Sequence, residues 1–261
     1  MIWKYIYILL PAGVLAGIAS AVAGLASLVS YPALLLVGIP PVTANITNTA
    51  ALIFTSLGSA VSSKRELRGH LRELLKLLPL TVGGSLCGSI LLIVSPAASF
   101  EHIVPFFILG AALLILWPEL PHSHRPKLSS GGGKSMMRKR ITAIAVCAAI
   151  FLVGAYTGYF GAAGGVMMLA ILAATSSLEF AEYNALKNVA LGASNLVATM
   201  LFAFRAHIEW LAALPLAAGF FAGGMIGPAI VRRVSSRLLN ILIAVCAAAL
   251  SVYLFVGAYF G

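Results

Sequence analysis

Apolar residues in this chain come in long runs separated by short polar punctuation. Runs at roughly 45–62, 75–95, 103–118, 186–204, 211–231 and 238–258 each have the length of a membrane-crossing helix, which needs about 20 residues for a hydrocarbon core of about 30 Å. Two further runs, 5–38 and 141–178, do not fit that unit. Each holds about 35 residues, or about 50 Å of helix at about 1.5 Å per residue. That is too long for one crossing and short for two complete crossings with a turn. Each run also carries small residues at its centre, Ala23-Gly24-Leu25-Ala26-Ser27 in the first and Gly158-Tyr-Phe-Gly161-Ala-Ala-Gly164-Gly165 in the second. Glycine costs a helix about 1 kcal/mol relative to alanine, so both runs are expected to break there.

Composition agrees with the pattern. The chain is 61% hydrophobic and 9% charged, against about 25% charged in soluble domains. The segment Ile141 to Phe160 contains no charge at all. The expected fold is therefore an all-α polytopic membrane protein. The formal net charge of +10 raises the question of nucleic acid, which the placement of charge answers. Basic residues cluster at Lys64-Arg65-Arg68-Arg72, from Arg125 to Arg140, and at Arg232-Arg233-Arg237. Short basic connections mark the cytoplasmic face of a membrane protein, so no nucleic-acid partner is expected. Lys4 followed by an apolar stretch resembles a signal peptide. The same apolar pattern recurs after Arg140, so the segment is read as part of the mature chain.

The stretch PELPHSHRPKLSSGGGKSMMRKR divides the map into two halves and reads as an exposed linker. The expected organisation is a first transmembrane repeat over 1–118, a cytoplasmic linker over 119–140 and a second repeat over 141–261. Gly133-Lys134-Ser135 imitates a phosphate-binding loop, but Leu128 stands where its first glycine belongs and no strand precedes it. His122 and His124 read as solvated loop residues. Cys87, Cys147 and Cys246 lie in apolar runs without metal or redox spacing, as packing residues do. No metal, cofactor or disulfide is expected.

The halves echo each other. Arg68-Gly-His70-Leu71 matches Arg205-Ala-His207-Ile208, Asn45 and Asn48 match Asn184 and Asn188, and Gly83-Gly84 with Gly88 match Gly219 with Gly223-Gly224. Internal duplication is common in secondary transporters. With each long run as one span plus a tail, the count is eight spans in parallel repeats, and Arg232-Arg233-Arg237 falls opposite the other basic clusters. With each run folded back on itself, the count is ten elements in inverted repeats, and all three clusters share one side. Charge placement favours the second arrangement, with two broken or re-entrant hairpins.

Asn184, Lys187, Asn188, Asn195 and Thr199 lie on or beside one face of a helix. Asn45, Asn48, Thr55 or Ser56, and Ser59 form a similar stripe in the first half. An amide facing lipid would cost a few kcal/mol in unmade hydrogen bonds, so both stripes face the protein interior or a cavity. They serve either interhelical packing or a substrate. Lys187 has three readings: snorkelling to the surface, pairing with Glu179 or Glu182, or holding an anion. Helix breaks inside the membrane add free N–H groups and positive dipole ends. Together these groups suit a small oxyanion. The seven acids, all glutamates, lie near span ends, which argues against a cation pump.

At these residues the sequence resembles the sulfite exporter TauE/SafE family of membrane permeases. GYFGAAGGVMMLAIL, NALKNVALGASNLVATMLF and RAHIEW carry the resemblance in the second half. AGLASLVSYPALLLVGIPP carries it in the first, with Ser27 and Leu28 where the family has glycines. The resemblance implies transport of small sulfur-containing or organic anions such as sulfite, thiosulfate or sulfonates. It maps the glycine elements to Gly24 and Ser27 and to Gly161, Gly164 and Gly165, and the helix starts to Asn45, Asn48, Asn184 and Asn188. The expected function is a secondary transporter, read as an exporter in the inner membrane, with alternating access around a midplane site. Its expected partners are a small anion and the lipid bilayer, with homo-oligomerisation left open. An anion channel ranks second, a scaffold third and an intramembrane enzyme last, because His70, His102 and His207 have no serine or cysteine beside them.

Overall fold

The computed structural model describes residues 2–116, 135–162 and 164–231, together with 252, 255 and 256. Most of the 119–140 linker, the span expected at 238–258, Cys246 and the Arg232-Arg233-Arg237 cluster lie outside the described residues. Helices make up the described chain, with no strand in it. Five of them are long and apolar enough to cross a membrane: Tyr5–Ala23, Leu71–Val94, Arg140–Tyr159, Phe180–Arg205 and Trp210–Ile230.

Each over-long run is a long helix followed by a short one. The first run is α1 (Ile2–Ala23) and α2 (Ser27–Leu36), and the second is α7 (Ser135–Tyr159) and α8 (Gly164–Thr175). The breaks fall at the small residues, where Gly24 and Gly161 take φ of +76° and +74°. That left-handed conformation is open to glycine at little cost. After each break comes a polar-striped helix, α3 (Pro41–Ser62) or α9 (Phe180–Arg205). Both start earlier than the apolar count suggests. Proline at the first position is preorganised for a helix start in α3, and a reciprocal Glu179–Glu182 capping box opens α9. The short α4 (Lys64–Leu67) precedes α5 (Leu71–Val94) and α6 (Ala97–Leu116), while α10 (Trp210–Val231) follows α9.

Contacts between named residues fix the helix directions. Gly13 and Gly17 of α1 lie against Gly219 and Gly223 of α10, in parallel order. Gly154 and Gly158 of α7 lie against Thr81 and Ser85 of α5, also in parallel. Thr47 of α3 meets Glu209 and Thr55 meets Gly224, so α3 runs with α10. His70 meets Glu182 and Ser85 meets Ser194, so α5 runs with α9. The two trios oppose each other across α3 and α9, where Ser56 touches Gly192 and Ser59 accepts from Asn188. Since α1 and α3 point the same way, α2 must carry the chain back between them. The same holds for α8 between α7 and α9.

Glycine makes the two parallel pairs close. A side chain on Gly84 would run into the carbonyl of Phe151, whereas one on Gly83 would meet only the edge of the Phe151 ring at 3.6 Å. Gly84→Ala should therefore lower stability by about 1–3 kcal/mol through overpacking. Gly83→Ala should leave it unchanged or raise it by up to about 1 kcal/mol through helix propensity. Thermal unfolding of the two purified variants in detergent measures the contrast.

Candidate functional site

The two helix breaks meet. Gly24 and Gly165 face each other so closely that a Cβ on either would overlap the backbone of the other. Beside this junction lies a cavity of about 40 Å³. Its walls come from both halves at matching positions. Ser20 and Gly24 of the first half answer Thr157 and Gly161 of the second, while Leu52 and Ser56 on α3 answer Leu191 and Asn195 on α9. Ala26, Ser27, Gly165, Lys187 and Asn188 complete the lining.

Lys187 is the one charged residue in that wall, and it is 1% exposed. Its Nζ donates to the carbonyl oxygen of Ser20 at 3.1 Å. That carbonyl also accepts from Gly24 N–H at 2.8 Å, so the ammonium is not its sole partner. The expected pairings with glutamate do not form. Glu182 accepts from its own cap, Glu179 N–H, at 2.9 Å, and its other oxygen stands 3.4 Å from His70 Nε2. Among the described residues, no carboxylate lies within ion-pair distance of Lys187. A buried ammonium without an anion carries a desolvation cost of several kcal/mol. The fold retains it at the edge of a polar cavity.

Gly24, Ser27, Gly161, Gly165, Lys187, Asn188 and Asn195 are brought together around the cavity. Asn45, Asn48, Asn184 and Gly164 are not in its walls. Asn45 Nδ2 donates to the carbonyl of Tyr159, at the end of α7, at 2.8 Å. Asn184 Nδ2 donates to the carbonyl of Ala21, near the end of α1, at 2.8 Å. Each half thus caps the broken helix of the other, supplying donors that a helix terminus inside a membrane lacks. Asn48 is held between Ser27 Oγ (3.0 Å) and Ser30 Oγ, which donates to Asn48 Oδ1 at 2.6 Å. This pins the first turn of α2 to α3. Gly164 has no room for a side chain because Thr157 Oγ1 occupies that space.

Asn188 does both jobs, donating to Ser59 Oγ at 2.8 Å while lining the cavity. Asn195 is 5% exposed and lines the cavity, and its Oδ1, like those of Asn45 and Asn184, has no partner. A buried amide oxygen left unpaired costs about 1–3 kcal/mol. Ala26 of the first break and Ser56 of the α3 stripe also line the cavity, as do Ser20, Leu52, Thr157 and Leu191, which were not singled out in the sequence. Their signal was the repeat itself, since most of them stand opposite one another when the halves are aligned.

Comparison with known proteins agrees with this architecture. The family model described as "Sulfite exporter TauE/SafE" matches residues 9–254. A "Probable membrane transporter protein ORF9" of Sinorhizobium is 25% identical over 256 residues, covering 94% of this chain and 90% of the relative. A "Probable membrane transporter protein" of Haemophilus influenzae is 26% identical, with 91% and 89% covered. The "Probable membrane transporter protein YfcA" of Escherichia coli K12 is 24% identical, with 91% and 84% covered. No solved structure matches the chain. A model match over nearly the whole length, joined to long apolar helices, makes this a multi-pass membrane transporter that belongs to the sulfite exporter TauE/SafE family.

Proposed function

We propose that the chain exports a small sulfur-containing or organic anion, such as sulfite, thiosulfate or a short sulfonate, by alternating access around the cavity at the Gly24–Gly165 junction. The observation that carries this reading is Lys187. It is a buried lysine on the wall of a polar cavity, and among the described residues no carboxylate lies within ion-pair distance of it. Buried charges are normally paired, and an anionic substrate supplies the missing partner.

The helix directions support inverted repeats of about 1–118 and 141–261. Equivalent helices α3 and α9 pack antiparallel, as do the trios to which they belong. These directions put the end of α3, the start of α7 and the end of α10 on one side. The three basic clusters adjoin those ends. By the positive-inside rule that side is cytoplasmic, with the 119–140 linker on it and the protein in the inner membrane. An inside-negative potential then favours efflux by about 2.3 kcal/mol per charge per 100 mV, so export needs no coupling ion.

Purified protein in liposomes loaded with sulfite tests the reading. Efflux should saturate with internal sulfite and quicken when the lumen is made negative. Flux equal to that of protein-free vesicles would remove the proposal, and single-channel currents would replace it with an anion channel.

A further inference from the structure

The cavity lining is mostly small or polar. Hydroxyls and amides come from Ser20, Ser27, Ser56, Thr157, Asn188 and Asn195, and the amino group from Lys187. The bulky apolar contributions are Leu52 from α3 and Leu191 from α9, one from each half. The two helices are close here: Gly192, next to Leu191, is in contact with the Ser56 side chain, and Ser59 is hydrogen-bonded to Asn188 on the adjacent turn. The cavity between them is small, about 40 Å³, so the bulk of these two leucines bears on what fits beside the polar groups.

We infer that Leu52 and Leu191 are the specificity-determining pair of this transporter, favouring compact oxyanions by narrowing the cavity between α3 and α9. The inference rests on the anion-transport reading and adds to it which anions are refused and by which side chains. The polar wall takes the charged head of any sulfonate alike. The leucine pair decides how much carbon is allowed behind that head. Shortening either leucine opens the space its isobutyl group fills in the cavity wall.

Flux of sulfite, methanesulfonate and butanesulfonate in liposomes tests this with the wild type, Leu52→Ala and Leu191→Ala. Wild type should carry sulfite and methanesulfonate, and butanesulfonate at least about tenfold more slowly, the scale on which an apolar pocket discriminates by methylene count. Each alanine variant should reduce that gap to about threefold or less. Leu191→Val, a milder truncation, should fall between and guards against an unfolded alanine variant. Thermal stabilisation of each variant by butanesulfonate in detergent gives the same ranking without a flux assay. The inference is overturned if wild type carries butanesulfonate as fast as methanesulfonate, or if the gap persists in both alanine variants. Absence of flux for every anion in wild type overturns the transport reading instead, and the inference with it.

Discussion

Replacing Lys187 with methionine should lower anion flux roughly 10- to 100-fold, because a hydrogen bond to a charged group is worth about 1.5–3 kcal/mol. The same substitution should leave the melting temperature unchanged or raise it. Methionine has nearly the length of lysine and no charge to bury, and exchanging a buried unpaired ion for a packed apolar side chain is often stabilising. The Ser20 carbonyl is not orphaned, since Gly24 N–H still donates to it. Loss of flux with kept stability is the signature of a substrate ligand. A parallel loss of both would show that Lys187 instead holds α1 to α9. Flux in liposomes and thermal unfolding in detergent, measured on one preparation, separate the two.

The second large effect is expected at the junction of the breaks. Gly165→Ala places a methyl group on the Cα of Gly24, and Gly24→Ala places one on the backbone of Gly165. Backbone stands on both sides, so no side chain can swing away. Gly24→Ala also forces an L residue to a φ of +76°. Together, overpacking and strain should cost about 2–4 kcal/mol for Gly24→Ala and about 1–3 kcal/mol for Gly165→Ala. Gly38 offers the control. Its φ of +92° is also left-handed, but nothing lies within 4 Å of the Cβ position. Gly38→Ala should therefore show the conformational cost alone, about 1 kcal/mol. Equal losses at Gly24 and Gly38 would mean that the junction contact contributes nothing.

Much of this architecture was legible in the chain. A run of about 35 apolar residues with glycine at its centre has few solutions in a membrane, and the breaks at Gly24 and at Gly161–Gly165 were readable from length and composition alone. Charge placement led to the proposal that the basic clusters share one side. The role of each asparagine was harder to see. Periodicity places Asn45, Asn184, Asn188 and Asn195 inward, but it cannot distinguish a helix end in the other half from a cavity as the partner. That depends on contacts between residues more than a hundred positions apart. The structure gives Asn45 and Asn184 to helix ends and Asn195 to the cavity. Lys187 was ambiguous for the same reason. Its alternatives, Glu179 and Glu182, are close in sequence, yet the capping box and His70 engage them first. The uncharged wall residues Ser20, Thr157, Leu52 and Leu191 have no local signature, and only alignment of the two halves brings them out.

The GYFGAAGGVMM segment thus combines two structural demands. Its Gly161 turns the chain, and its Gly165 lets the second half touch the first at Gly24. The cavity beside that contact exists because neither glycine carries a side chain.

The most direct measurement is an experimental structure of the purified protein soaked with selenite, a heavier isostere of sulfite whose selenium is located by anomalous scattering. The account predicts one anomalous peak in the cavity beside the Gly24–Gly165 junction, within hydrogen-bonding reach of Lys187 Nζ, and its loss in Lys187→Met. A peak at another place in a protein that transports selenite, or one that persists in Lys187→Met, would contradict it.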